Sequence, residues 1–331
     1  MDVKNYLDAC QYYVRIQAQL MECNQLDICE IADHCEIEFL VNECCLYPMI
    51  RPMDLDFIVD FCSKLMKNPK ISANFKKRLI SDCLSSNSSV ILERLYCMGE
   101  LTMNDIIEKG PKNRVGLKYF LGHFPSLKVD KMYFDKKTIE YIRNNDIIEL
   151  VHFGWPKTSL GYSLKFDDVD SFLSQSNYPG FNHNTEVIWS VFEWANKPKS
   201  TKPSVICAHF GSLKCFKQLL LMGCVICEHT AQSSCFGGNI DIVRLVSEYQ
   251  MFDSQSYYLS VLSQREEIVS WIESNYNQTI LSPTLSLSCN NLKQFLKSIE
   301  QGDCINERDK FSCFIITLFF HFWFYSITLC S

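Results

Sequence analysis

A short block recurs four times in the C-terminal half of the chain, at almost constant spacing. Gly211-Ser-Leu-Lys-Cys-Phe aligns with Gly238-Asn-Ile-Asp-Ile-Val, Gln264-Arg-Glu-Glu-Ile-Val and Asn290-Asn-Leu-Lys-Gln-Phe, with starts 27, 26 and 26 residues apart. Two positions on come Leu213, Ile240, Glu266 and Leu292, and five positions on Phe216, Val243, Val269 and Phe295. Eight positions on come Leu219, Val246, Ile272 and a polar Ser298. Such self-similarity marks stacked units, each unable to bury its apolar side alone. Residues 203–223 show the unit best. Leu213, Phe216, Leu219 and Leu220 form one stripe at helical spacing. A shorter helix before it carries the small Cys207 and Ala208, where another helix passes close. Gly211 reverses the chain and Gly223 ends the second helix. The expectation is an all-α fold of piled helical hairpins.

The pattern resembles the ankyrin repeat. Residues 290–310 are similar to an ankyrin second helix and its loop, with Gly302, Ile305-Asn306 and Asp309 at the motif's places. The first unit keeps the Pro203 start and the Gly211 and Gly223 punctuation. The period is shorter than the ankyrin value of about 33 residues. Lys202-Pro203-Ser204-Val205 stands where Thr-Pro-Leu-His is usual, and three of the loops are too short for a long β-hairpin finger. The closest likeness is to the degenerate ankyrin-like domain, of uncharacterised function, in large protist ankyrin families. It covers about a third of the chain and extends weakly to residues 138–153. The resemblance implies an α-solenoid that holds a protein partner and performs no catalysis.

Residues 1–137 read as a helical region, either diverged hairpins of the same stack or a separate cap. Stripes such as Leu55, Ile58, Val59, Cys62 and Leu65 predict helices, stopped at Asn68-Pro69. A helix is expected over residues 28–46, ended by Tyr47-Pro48. Thr102 and Asp105 have capping-box spacing. Residues 138–202 read as a hairpin, a loop-rich insertion at 154–184 and a lead-in helix at 186–196. The insertion is a binding loop or a spacer between two stacks. Degenerate repeats fill 203–310.

Residues 311–331, FSCFIITLFFHFWFYSITLCS, carry no formal charge. A run of about 20 apolar residues is long enough to cross a bilayer. Arg308 and Lys310 suit a cytosolic side before it. A truncated array and a greasy end packed on the last repeat are the other readings. The net charge of −6 and pI near 5.7 argue against nucleic acid as partner. The 18 cysteines, many at helix-core positions behind a polar N-terminus, read as buried thiols in a reducing, cytoplasmic setting.

Little catalytic chemistry is legible. Cys224, Cys227, His229 and Cys235 offer zinc-type donors, but Cys235 sits at a core helix position. Cys23, Cys29, His34 and Cys35 form a looser set on helices that do not converge. Cys207 and His209 are two apart and face different ways. His123, His152 and His183 have no partner that sequence locates, and Asp167-Asp168 reads as a solvated pair. No phosphate loop, HExxH, GxSxG or kinase signature occurs. The expectation is therefore no cofactor, no metal, no enzyme, and an unidentified protein partner. The candidate partner surface is Trp155, Tyr178, Phe181, Met222, Val225, Glu228 and His229, on the insertion and the turns at 222–229 and 250–256. The alternatives are an adaptor anchored by residues 311–331 and an enzyme or metal site in the insertion.

Overall fold

A computed structural model describes residues 3–24, 26–85, 88–109, 115–120, 123, 142, 145–190, 192–193, 200–276 and 283–300. The expectations for residues 138–141, for Gly302, Ile305-Asn306 and Asp309, and for the tail at 311–331 lie outside them. Among the described residues no helix is long and apolar enough to cross a membrane. The fold is all-α, with one short strand pair among the described residues.

The N-terminal part runs α1 (Val3–Met21), α2 (Ile28–His34), α3 (Ile37–Ile50), α4 (Leu55–Lys67), α5 (Ser72–Ser85), α6 (Ser89–Cys97) and α7 (Met103–Lys109), then a 3-10 turn at Val115–Phe120. The helix expected at 28–46 is thus two helices. Cys35 and Glu36 are extended, and Tyr13 Oη accepts the Glu36 amide, so the break is tied to α1. Pro48 does not stop α3 but sits in its last turn, where one lost backbone bond is tolerable. The Asn68-Pro69 stop and the Thr102–Asp105 capping box stand as read: the Asp105 amide donates to Thr102 Oγ1 and the Thr102 amide to Asp105 Oδ2. Packing follows a rule of alternation. α3 lies on α5, while α2 lies on α4 and α4 on α6.

The same alternation governs the rest. The helices are α8 (Ile147–Phe153), α9 (Leu160–Lys165), α10 (Val169–Ser176), α11 (Pro203–Phe210), α12 (Leu213–Leu221), α13 (Glu228–Gly237), α14 (Ile240–Ser247), α15 (Ser254–Leu262), α16 (Glu266–Tyr276), α17 (Pro283–Ser288) and α18 (Leu292–Glu300). First helices α9, α11, α13 and α15 pack in succession, and so do second helices α10, α12, α14 and α16. The four repeat starts, Gly211, Gly238, Gln264 and Asn290, all have positive φ, between 52° and 86°. Each marks a reversal between two helices, so the sequence period is a backbone period.

Two expectations change upstream of the repeats. The insertion at 154–184 is not loop-rich throughout, because α9 and α10 form a further hairpin that packs on the first repeat. Asp168 caps α10 through the Ser171 amide. Asp167 accepts the amides of Lys214 and Cys215 at 3.1 and 2.8 Å, capping α12 from the neighbouring hairpin. The acid pair is therefore structural rather than solvated. Of the lead-in helix expected at 186–196, the described residues 186–190 and 192–193 are not helical, and 191 and 194–196 lie outside them. Val187–Ile188 (β1) pairs antiparallel with Ser200–Thr201 (β2), and Trp155 Nε1 donates to the Ile188 carbonyl. That bond and the β-branched pair favour extended backbone over a helix.

First helices approach closely because their facing residues are small. Ala208, Ser234, Ser260 and Ser286 recur every 26 residues and are buried. Ser234 and Ser260 turn their hydroxyls back to carbonyls three residues earlier, while the buried Ser286 hydroxyl has no such partner. A Cβ on Gly237 would lie 2.0 Å from the Ala208 carbonyl oxygen. Polar side chains at the reversals join each hairpin to the one before. Ser212 Oγ donates to the Lys165 carbonyl, Asn239 Nδ2 to Gly211, Arg265 Nε to Phe236 and Asn291 Nδ2 to Val261. Phe216, Leu219, Val243, Val246, Val269 and Ile272 fill the layer between, each contributing roughly 1.5–3 kcal/mol by burial.

The N-terminal helices return to the last two hairpins. α1 packs on α18. Gln17 Nε2 donates to Glu43 Oε1 at 2.8 Å and to the Asn290 carbonyl at 2.6 Å. Asn290 Nδ2 donates to the same Glu43 oxygen, and the Leu292 amide to Gln17 Oε1. Arg51 donates to the carbonyls of Ser263 and Gln264, and Arg265 to that of Ile50. Glu43 is fully buried, and burial pushes its carboxyl from 4.5 up to about 7 against the opposing amide donors.

Two outcomes follow from this packing. Gly237→Ala gains helix propensity but drives a methyl into backbone, so it lowers stability by about 1–3 kcal/mol in chemical denaturation. Glu43 holds its proton more tightly folded than unfolded, so its stabilising contribution is complete below pH 4.5 and is lost as pH rises through about 7. Removing the ionisable group with Glu43→Gln makes the variant's melting temperature, relative to wild type, climb between pH 5 and pH 8. A constant difference across that range means Glu43 does not titrate there.

Candidate functional site

Of the candidate surface residues, Tyr178 is 74% exposed, and Val225, Glu228 and His229 are exposed. Met222 and Phe181 are partly buried against the repeat core, Phe181 edge-on to Phe172. Trp155 does not belong to the surface. It is 3% exposed, packs edge-on against Trp189 and Phe210, and leaves room only for glycine at Gly161. An indole beside a Trp-Pro break reads as a loop anchor in sequence, and its partners lie too far along the chain to be visible there.

The exposed apolar side chains that sequence did not single out are more telling. Leu221 is 81% and Met251 74% exposed, and Tyr249 and Ile188 are also open. Leu221 is the last residue of α12 and Tyr249 lies two residues beyond α14, while Val225 and Met251 each stand three residues before the next first helix. Each loop is tied to an earlier segment of the chain. The Val225 amide donates to Asn184 Oδ1, and Gln232 on α13 reaches Asp253 at the head of α15. The result is an edge of loops carrying apolar side chains one hairpin after another.

The proposed zinc donors do not converge. Cys227 Sγ lies 3.6 Å from Thr230 Oγ1 in a capping box, Cys235 is buried in α13 and His229 points outward. In the other set, Cys23 Sγ pairs with Tyr47 Oη at 3.0 Å and Cys35 with Tyr12, while Cys29 is exposed. Burial pushes the Cys35 and Cys224 thiols up to about 11 and the Cys215 thiol to about 12. The cysteines whose side chains are described, from Cys23 to Cys289, are free thiols.

A different cluster forms where sequence located no partner. Glu93, on α6, is 1% exposed. Its Oε1 accepts from His123 Nε2 at 2.8 Å, from His152 Nε2 at 3.2 Å and from the Cys97 thiol at 3.2 Å. Cys97 Sγ also lies 3.5 Å from His123 Nε2. The ligand atoms of Glu93, Cys97 and His152 all fall within 4.8 Å of one another, and among the described residues this is the group that could hold a metal ion. Glu93 Oε2 is buried without a hydrogen-bond partner. Burial works to raise the Glu93 carboxyl, but the bonds from His152 and His123 outweigh it and hold it below its usual range. Burial, then Glu93 itself, pushes the Cys97 thiol up to about 11. The signal available in sequence was the four-residue spacing of Glu93 and Cys97, one helical turn. The histidines come from α8 and from beyond the 3-10 turn.

A cavity of about 400 Å³ opens beside α1, lined in part by Gln17, Arg51, Gln264, Arg265 and Asn291. Those side chains already hold the seam between α1, α3 and the last hairpins. No family model matches the chain, and comparison with curated proteins finds no match.

Proposed function

We propose that the chain is a protein-binding scaffold, an ankyrin-like α-solenoid that grips its partner along the edge of loop tips. The observation that carries this reading is that Val225 and Met251 are exposed at the same place before successive first helices, with exposed Leu221 and Tyr249 at the ends of the second helices before them. Apolar side chains held open on a rigid frame suit the core of an interface, with tyrosine and methionine enriched there. Exposed Glu228 and His229 beside them supply a polar rim. The acidic balance of the chain supports a protein rather than a nucleic acid as partner. Free thiols buried as small hydrophobes support a reducing, cytoplasmic setting.

Affinity capture with the full chain tests the reading. Replacing Leu221→Asp together with Met251→Asp touches no packed contact, so stability stays within about 0.5 kcal/mol. Recovery of the specific partner falls about tenfold or more, as for loss of an interface anchor. Unchanged recovery of every captured protein places binding elsewhere. Alanine at Glu228 and His229 gives a smaller loss, in keeping with a rim.

A further inference from the structure

We propose that Glu93, Cys97, His123 and His152 form a binding site for one zinc-class divalent transition-metal ion. The argument begins with the convergence on a single oxygen. Two imidazoles and a thiol all donate to Glu93 Oε1, while Oε2 of the same buried carboxylate receives nothing. For hydrogen bonding alone this is a poor arrangement, because three donors share one acceptor and a buried acceptor goes unused. For a cation it is a good one: the same four side chains offer one carboxylate, one sulfur and two nitrogens toward a common point.

The distances fit. Zinc takes nitrogen and oxygen ligands near 2.0–2.2 Å and sulfur near 2.3 Å, so neighbouring ligand atoms in a tetrahedral shell stand roughly 3.3–3.8 Å apart. The separations of Glu93 Oε1 from His123, His152 and Cys97 and of Cys97 from His123, 2.8, 3.2, 3.2 and 3.5 Å, lie within about half an ångström of those values, and the ligand atoms of Cys97 and His152 stand within 4.8 Å. The donor types fit as well. A thiolate with two imidazoles selects zinc or cobalt over magnesium or calcium, which ask for oxygen. One carboxylate and one thiolate neutralise a divalent charge, and binding releases the Cys97 proton to solvent, while each imidazole frees Nε2 by losing its proton to solvent or shifting it to Nδ1. Cys97 is exposed, which gives the ion a way in. Glu93, Cys97 and His152 share the common point, and His123, 3.5 Å from Cys97, moves in to close the shell as in structural sites, so that the ion joins α6 to α8 and to His123.

Cobalt(II) is the probe. The full-length protein, treated with chelator and titrated with Co²⁺, takes up one equivalent and shows tetrahedral visible bands with a near-ultraviolet thiolate-to-metal band. Cys97→Ser removes the thiolate band, and His152→Ala weakens binding about tenfold or more. Cys224→Ala, which alters the competing cysteine pair, leaves the spectrum unchanged. Zinc added to the chelator-treated protein raises the melting temperature of wild type and much less that of Cys97→Ser, whose exposed position keeps the fold intact. The proposal is overturned if no saturable equivalent binds at micromolar metal, if the thiolate band survives Cys97→Ser, or if Cys224→Ala abolishes it. The first result would leave the cluster as a hydrogen-bonded carboxylate with two histidines.

Discussion

Close approach between the first helices of neighbouring hairpins governs the C-terminal half of the molecule. Helices with ordinary side chains sit about 8–10 Å apart. Here the facing positions hold Ala208, Ser234, Ser260 and Ser286, and Gly237 lies against the backbone of the preceding hairpin. Serine at such a place would strand a hydroxyl, but Ser234 and Ser260 bond back within their own helix. Once the first helices are seated, the reversals fall into line. Asn239, Arg265 and Asn291 then reach carbonyls of the preceding unit, and the second helices meet through Phe216, Val243 and Val269. The apolar layer supplies the energy, while the small residues fix the distance at which it is collected.

That dependence explains what the sequence could and could not disclose. The period from Gly211 to Asn290 was legible because it repeats local events, a reversal followed by an apolar stripe. Gly211 and Gly238 announce positive φ, and Gln264 and Asn290 adopt it because the register places them there. Errors arose where local signals met distant partners. Residues 186–196 have helical composition, yet the Ile188 carbonyl is taken by Trp155 and Val187–Ile188 pairs with Ser200–Thr201. The break at Cys35-Glu36 depends on Tyr13 of another helix. The Glu93 cluster draws on α6, α8 and His123, segments joined by tertiary packing alone, so no spacing rule could have assembled it. The ankyrin-like register was read on four units, whereas the alternating packing begins already at α2 and α3.

Closure of the chain upon itself has a polar rather than an oily seam. Gln17, Glu43 and Asn290 meet through amide and carboxyl groups, and Arg51 and Arg265 exchange bonds with backbone carbonyls across the same junction. Such groups gain little net energy when paired but are expensive when left unpaired. They therefore favour one way of docking α1 and α3 onto the last hairpins over nearby alternatives. The apolar contacts alone, among them Leu292 and Phe295 against the N-terminal core, would tolerate sliding.

Glu43 and Glu93 show how one kind of residue is given opposite chemistry by its neighbours. Both are buried, and each leaves one carboxyl oxygen without a partner. The donors around Glu43 are neutral amides, too weak to offset lost hydration, so its carboxyl rises to about 7 and accepts a proton near neutrality. The donors around Glu93 include two imidazoles, able to carry positive charge, and its carboxyl is held down and stays ionised. A buried carboxylate that keeps its charge needs a positive counterpart close by. At Glu43 the proton fills that role and the group serves the seam. At Glu93 the surrounding nitrogens and sulfur can each surrender a proton to solvent, and a divalent ion can then satisfy all of them at once.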